Sequence, residues 1–125
     1  LTLVDTSVWV SHLRAANAQL PDLLNADNVL IHPFIIGEVA LGSFKQRDIV
    51  LDMLVNLPKA QVAADSEVLS FIERHKLFGR GIGYVDAHLR AATRLTAEAA
   101  IWTLDRKLRR VAVDLGVAAK GGSGP

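Results

Sequence analysis

The sequence predicts an α/β/α sandwich on a mainly parallel sheet, and three observations lead there. Short apolar runs rich in β-formers, Leu1–Val4, Val29–His32 and Ala99–Leu104, alternate with longer stretches whose apolar residues recur at helical spacing. Two of these runs hand over to a helix through an aspartate, Asp5 and Asp105, as strands do at the ligand-binding carboxyl edge of an α/β sheet. Strands separated by helices need crossover connections, which impose parallel pairing and put helices on both faces.

Taken in order, Leu1–Val4 is the first strand, and Thr6 to Arg14 carries Val8, Trp9 and Leu13 at spacings that suit a helix with one buried face. Asn17 to Asn25 forms a second helix, with Pro21 tolerable only near its first turn. Val29–His32 is a strand, and Pro33 fits the first turn of a helix through Phe34 to Leu41 that stops at Gly42. Asp48 to Leu57 places Ile49, Leu51, Met53, Leu54 and Leu57 on a buried face and ends at Pro58. Ala60 to Ala63 is either an edge strand or a link. Asp65 is a good N-cap for a helix carrying Val68, Leu69, Ile72 and Leu77 and ending near Gly79. After the glycine loop Gly79–Gly83, Tyr84 to Leu95 is a helix with Val85, Leu89 and Ala92 inward. Ala99–Leu104 is the clearest late strand, Asp105 opens a basic helix ending near Gly116, and Val117–Ala119 adds a short last strand. No internal repeat is present.

The 125 residues, half of them apolar, make one domain spanning residues 1–119. Residues 120–125 read as a flexible tail or expression remnant, and a start without methionine suggests a trimmed chain. No apolar run approaches the roughly 18 to 20 residues that span a bilayer, and no secretion signal is visible. The absence of cysteine excludes disulfides and thiolate chemistry and is compatible with a cytoplasmic setting. Net charge is only +1, so no global field marks a nucleic-acid binder. The last third is nevertheless basic: Arg90, Arg94, Arg106, Lys107, Arg109 and Arg110 are candidate phosphate contacts, with solvated helix faces as the alternative reading.

Of the 13 acidic residues, nine fall at helix ends, in loops or on polar faces. Four stand apart. Asp5 closes a strand expected to be central, with an N-cap role as the rival account. Glu38 lies within Phe34–Leu41, where nearly every neighbour is apolar, so it needs a partner, a metal or an exposed slot. Asp86 opens a helix, with Arg90 four residues on as an alternative surface ion pair. Asp105 repeats the placement of Asp5, and two such carboxylates share one edge if their strands are parallel. Charges about 4 Å apart repel by roughly 4 kcal/mol at an effective dielectric of 20, so four converging acids require a cation. Oxygen-only ligands select a hard ion such as Mg²⁺ or Mn²⁺, and the chemistry such an ion serves is phosphodiester hydrolysis. His12, His32, His75 and His88 show no zinc spacing and read as ordinary surface or hydrogen-bonded histidines.

At these residues the chain resembles the PIN-domain family, and within it the VapC-type toxins of type II toxin–antitoxin modules. Leu3-Val4-Asp5-Thr6-Ser7-Val8-Trp9 is similar to the family's first acidic motif, and Glu38 to its second. Gly81–Leu89, around Asp86, and Trp102-Thr103-Leu104-Asp105-Arg106-Lys107-Leu108 are similar to the third and fourth. The resemblance implies a PIN-like three-layer fold and a Mg²⁺-dependent endoribonuclease, with Mn²⁺ as a substitute, acting on transfer, ribosomal or messenger RNA to arrest translation. It implies a homodimer held inactive by a VapB-type antitoxin, with larger toxin–antitoxin hetero-oligomers as a further state. By position, Asp5, Glu38, Asp86 and Asp105 would be catalytic and hold the metal. Thr6, Ser7 and Thr103 would supply hydroxyls, and Arg90, Arg106 and Lys107 would contact RNA.

Rival readings are weaker. A haloacid-dehalogenase-like phosphotransferase needs a second carboxylate two residues after the first, where this chain has Ser7. A non-catalytic PIN-like module that binds RNA or protein would have no physical use for clustered negative charge. A DNA-binding role would fall to the antitoxin, because this chain lacks a convincing helix-turn-helix.

Overall fold

In the computed structural model, which describes residues 1–15 and 19–120, β1 (Thr2–Val4) runs up the middle of a sheet ordered β2-β1-β3. β2 (Val29–Leu30) and β3 (Ala100–Trp102) both pair with it in parallel. Single parallel bridges, Ile31 to Lys59 and Ile101 to Ala118, extend the sheet on both sides. The chain thus has the predicted α/β fold, with shorter strands than the apolar runs suggested. Ala99–Leu104 yields only three strand residues because Thr103 turns its hydroxyl into a side-chain network and ends the ladder.

The order β2-β1-β3 decides where a ligand can sit. From β1 the chain moves outward to β2 and then returns across β1 to reach β3, so the winding reverses beside β1. In open α/β sheets this reversal creates a crevice at the carboxyl ends of the two strands involved, here β1 and β3. Asp5 follows β1 and Thr103 follows β3, and the Asp5 N–H donates to the Trp102 carbonyl at 2.9 Å.

Seven helices surround the sheet among the described residues. α1 (Thr6–Arg14) buries Val8 and Trp9, as its periodicity predicts. α2 is described over Gln19–Asn25; its expected start at Asn17 lies outside the described residues, as do residues 121–125 of the expected tail. α3 (Pro33–Ala40) has proline at its first position, where the missing N–H costs nothing, and His32 caps it by accepting from the Phe34 N–H at Nδ1, 3.1 Å. α4 (Arg47–Val55) departs from expectation: Ile49 and Met53 face outward and Leu54 is its buried residue. α5 (Asp65–His75) starts one residue earlier than a cap at Asp65 would allow. Ala64 holds the cap position, and Glu67 Oε1 accepts the Ala64 N–H at 2.8 Å. Its Leu69, expected on the packing stripe, is exposed.

α6 (Tyr84–Leu95) carries the longest run of buried positions, Ala87 through Thr93, because it lies against α5 on one side and β3 on the other. α7 (Arg106–Asp114) begins at the Asp105 cap and buries Val111 and Ala112. The core joins Leu3, Val4, Trp9, Ile31, Ile35, Leu54, Leu89, Ile101 and Trp102 into one cluster. Each fully buried aliphatic or aromatic side chain there contributes about 1.5–3 kcal/mol of transfer free energy. No described helix is long and apolar enough to cross a membrane.

Candidate active site

Asp5 is 4% exposed, yet its carboxylate does not cap α1. The backbone carbonyl of Asp5 accepts the first helical N–H groups, and the side chain turns instead toward β3. Its Oδ2 accepts from Ser7 Oγ at 2.9 Å and from Thr103 Oγ1 at 2.8 Å. Ser7 Oγ in turn accepts the Leu104 N–H at 3.0 Å, and Thr103 Oγ1 the Asp105 N–H at 3.1 Å. Two hydroxyls therefore orient Asp5 and tie β1 to the turn that carries Asp105. The rival reading of Asp5 as a helix cap is set aside by this geometry.

The other three acids follow a common arrangement. Asp86 Oδ2 accepts the Gly83 N–H at 3.1 Å, Asp105 Oδ1 the Leu108 N–H at 3.0 Å, and Glu38 Oε1 the Thr6 hydroxyl at 2.7 Å. Each carboxylate is fixed through one oxygen and keeps the other without a protein donor among the described residues. Glu38 is exposed, because only Ile35 and Val39 of α3 are buried against the core, while Phe34 and Leu41 are exposed as it is. Asp86 is half-buried and Asp105 exposed. None of the four lies within salt-bridge distance of a cation among the described residues. The Asp86–Arg90 surface pair is thus not formed.

Arg90 corrects a second expectation. It is 0% exposed and cannot reach an RNA backbone. Its Nη1 donates to the Asp86 carbonyl at 3.2 Å and its Nη2 to the Leu108 carbonyl at 3.1 Å. Burial pulls its pKa down, and Asp5, Asp86 and Asp105 oppose that by acting on its charge. The charges of three acids from three elements therefore act on one guanidinium. Arg106 and Lys107 are exposed at the start of α7, and Lys107 Nζ reaches the Gly81 carbonyl at 3.4 Å.

The donor set suits a hard divalent cation: carboxylate oxygens alone, each with one open position, at a sheet crevice. The carboxylates are not drawn into a cage, and no three acidic or histidine side chains among the described residues are close enough to hold an ion as they stand.

His32 and His88 are hydrogen-bonded, as one of the two sequence readings has it, but their burial was not legible. By extension of the β1–β2 register, His32 stands beside Asp5 at the sheet edge. It is fully buried, and burial, aided by His88, pushes its pKa down to about 4. His88, 2% exposed, lies 3.0 Å from Asp65 Oδ1, which also accepts the Tyr84 hydroxyl at 2.7 Å. These bonds, Tyr84's first, hold the Asp65 carboxyl below its usual range. Phe34 and Tyr84 pack edge-on against His88, with ring centres 4.8 and 5.1 Å away. The available signal was position: His32 ends an apolar strand immediately before Pro33, where a side chain cannot avoid the sheet edge.

A parallel sheet whose winding reverses beside a buried aspartate defines a class, and the comparison agrees: residues 2–114 match the PIN domain. The chain belongs to the PIN-domain family, in its VapC-type branch. It is similar to Ribonuclease VapC32 of Mycobacterium tuberculosis, 49% identical over 118 residues that cover 94% of this chain and 95% of the relative, in both strain H37Rv and strain CDC 1551 / Oshkosh. No solved structure gives a significant match.

Proposed function

We propose that the chain is a divalent-metal-dependent endoribonuclease acting as the toxin of a type II toxin–antitoxin module, with Mg²⁺ the resident ion and Mn²⁺ able to replace it. The observation that carries this reading is Asp5: a buried carboxylate at the β1/β3 crevice, fixed by Ser7 and Thr103 at one oxygen and free at the other. The relative named as a ribonuclease supports the same activity.

In this mechanism Asp5, Asp86, Asp105 and Glu38 would hold the ion. When bound, the ion supplies Lewis-acid charge to a phosphate oxygen and makes water a stronger acid. Ser7 and Thr103 keep Asp5 from rotating away, and Thr6 does the same for Glu38. Arg106 and Lys107 position the RNA backbone at the start of α7. Ribosomal, transfer or messenger RNA in the cytoplasm is the substrate class, a VapB-type antitoxin is the inhibitor, and the active form is a homodimer.

Purified protein should cleave an RNA panel in Mg²⁺ or Mn²⁺ and stop when EDTA is added. Asp5→Asn and Asp86→Asn should each reduce cleavage at least 100-fold while circular dichroism stays native. The absence of a ready-made cage favours a second reading, a non-catalytic module, which predicts no cleavage and no calorimetric metal binding by the wild type. Induction of the chain alone should arrest growth, with rescue by the neighbouring antitoxin. Normal growth with an active nuclease would remove the toxin role and leave the chemistry.

A further inference from the structure

Arg90 is the strangest group in the molecule. It is fully buried, its Nε has no partner, and no carboxylate among the described residues is within ion-pair distance. A buried cation is tolerated only where nearby charge and hydrogen bonds replace its hydration. Here two carbonyls bind the guanidinium, and the charges of three aspartates offset part of the cost of its burial. The two carbonyls are informative in themselves. One belongs to Asp86, on α6. The other belongs to Leu108, on α7, whose N–H is held by Asp105. A single planar fork thus spans the backbones that carry two of the candidate metal ligands, and a guanidinium, unlike an ammonium, fixes both directions at once.

We propose that Arg90 is the resident counter-charge and spacer of the acid site: its charge lets the three aspartates remain together before a metal arrives, and its fork sets the separation of Asp86 from Asp105. It is a positioning residue that touches neither metal nor RNA. The first part stands on the metal-free protein. The second rests on the metal-site reading above.

Two measurements test it. In EDTA, urea unfolding of wild type, D5N, R90M and D5N/R90M gives a thermodynamic cycle. D5N should lower the folding equilibrium constant at least tenfold more in the parent than in the R90M background, because the parent variant leaves a buried cation less compensated. Equal effects within twofold would overturn the counter-charge. Should R90M not fold, R90K, which keeps the charge, replaces it: D5N should then cost as much with R90K as in the parent, and a cost at least tenfold smaller would overturn the claim. For the spacer, Mn²⁺ binding to R90K, followed by calorimetry and Mn²⁺ electron paramagnetic resonance, should weaken at least tenfold. The core variant Val68→Ala, a purely structural loss on α5, should bind within twofold of wild type. Unchanged binding by R90K, or equal weakening by V68A, overturns the spacer. If wild type binds no Mn²⁺, the metal-site reading and the spacer fall together, while the EDTA cycle still decides the counter-charge.

Discussion

Replacing Thr103 with valine removes one oxygen and keeps the side chain's volume, so it isolates the hydroxyl that links Asp5 to Asp105. That hydroxyl donates to Asp5 Oδ2 at 2.8 Å and accepts the Asp105 N–H at 3.1 Å, and the residue is 2% exposed. A hydrogen bond to a charged group contributes about 1.5–3 kcal/mol and a neutral one about 0.5–1.5 kcal/mol. Ser7 still donates to the same Asp5 oxygen, and water can reach the exposed Asp105 turn, so both losses fall below the full cost of an unpaired buried group. The expected destabilisation is about 2–4 kcal/mol. Thr103→Ser keeps the hydroxyl and loses one methyl, which costs about 1 kcal/mol. Equilibrium urea unfolding of the two variants gives the order directly. A serine variant as unstable as the valine variant, or less stable, would show that the methyl's packing matters and the hydroxyl network does not. In the nuclease assay, cleavage should fall with T103V and survive in T103S.

Three further outcomes follow from the same structure. His32 has a folded pKa of about 4 against an ordinary value of 6.5, so the unfolded chain binds the proton more readily. Its contribution is complete above pH 6.5 and is lost as pH falls toward 4, a total of roughly 3 kcal/mol. His32→Asn retains a side-chain acceptor for the Phe34 N–H and should flatten the urea midpoint between pH 7 and 4.5; a slope equal to wild type would refute the assignment. Gly81 has φ +74°, and a Cβ there would lie 3.0 Å from Lys107 Nζ, a mobile chain end. Gly81→Ala should therefore cost about 1 kcal/mol, mostly from backbone strain, and displace Lys107. A neutral effect on unfolding would refute the strained turn. Arg80→Ala breaks the 2.8 Å pair with Asp114 that ties the glycine loop to α7, yet both side chains are partly solvated, so stability should change by less than about 1 kcal/mol. Faster hydrogen exchange over Gly79–Gly83 is the readout, and unchanged exchange would show that the pair does not hold the loop.

The sequence by itself determined the alternation of strands and helices, Asp5 at the end of the first strand, and Asp105 at the start of the last helix. These features depend on local periodicity and on charges placed where a strand or helix leaves little choice of direction. The solvent exposure of Glu38 was not legible, because apolar neighbours in sequence can lie on the far face of a short helix. Nor was the outward face of Ile49 and Met53, since a helix shows which residues share a side but not which side meets the core. Tertiary structure alone decided the rest. The order β2-β1-β3 puts the winding reversal between β1 and β3, which turns the carboxyl ends of those strands into one crevice. Arg90 read as an RNA contact, or as a surface cation four residues after Asp86. Only packing between α6 and the start of α7 made it a buried charge held by the carbonyls of Asp86 and Leu108, because burial and long-range proximity are not written in the spacing of residues along one helix.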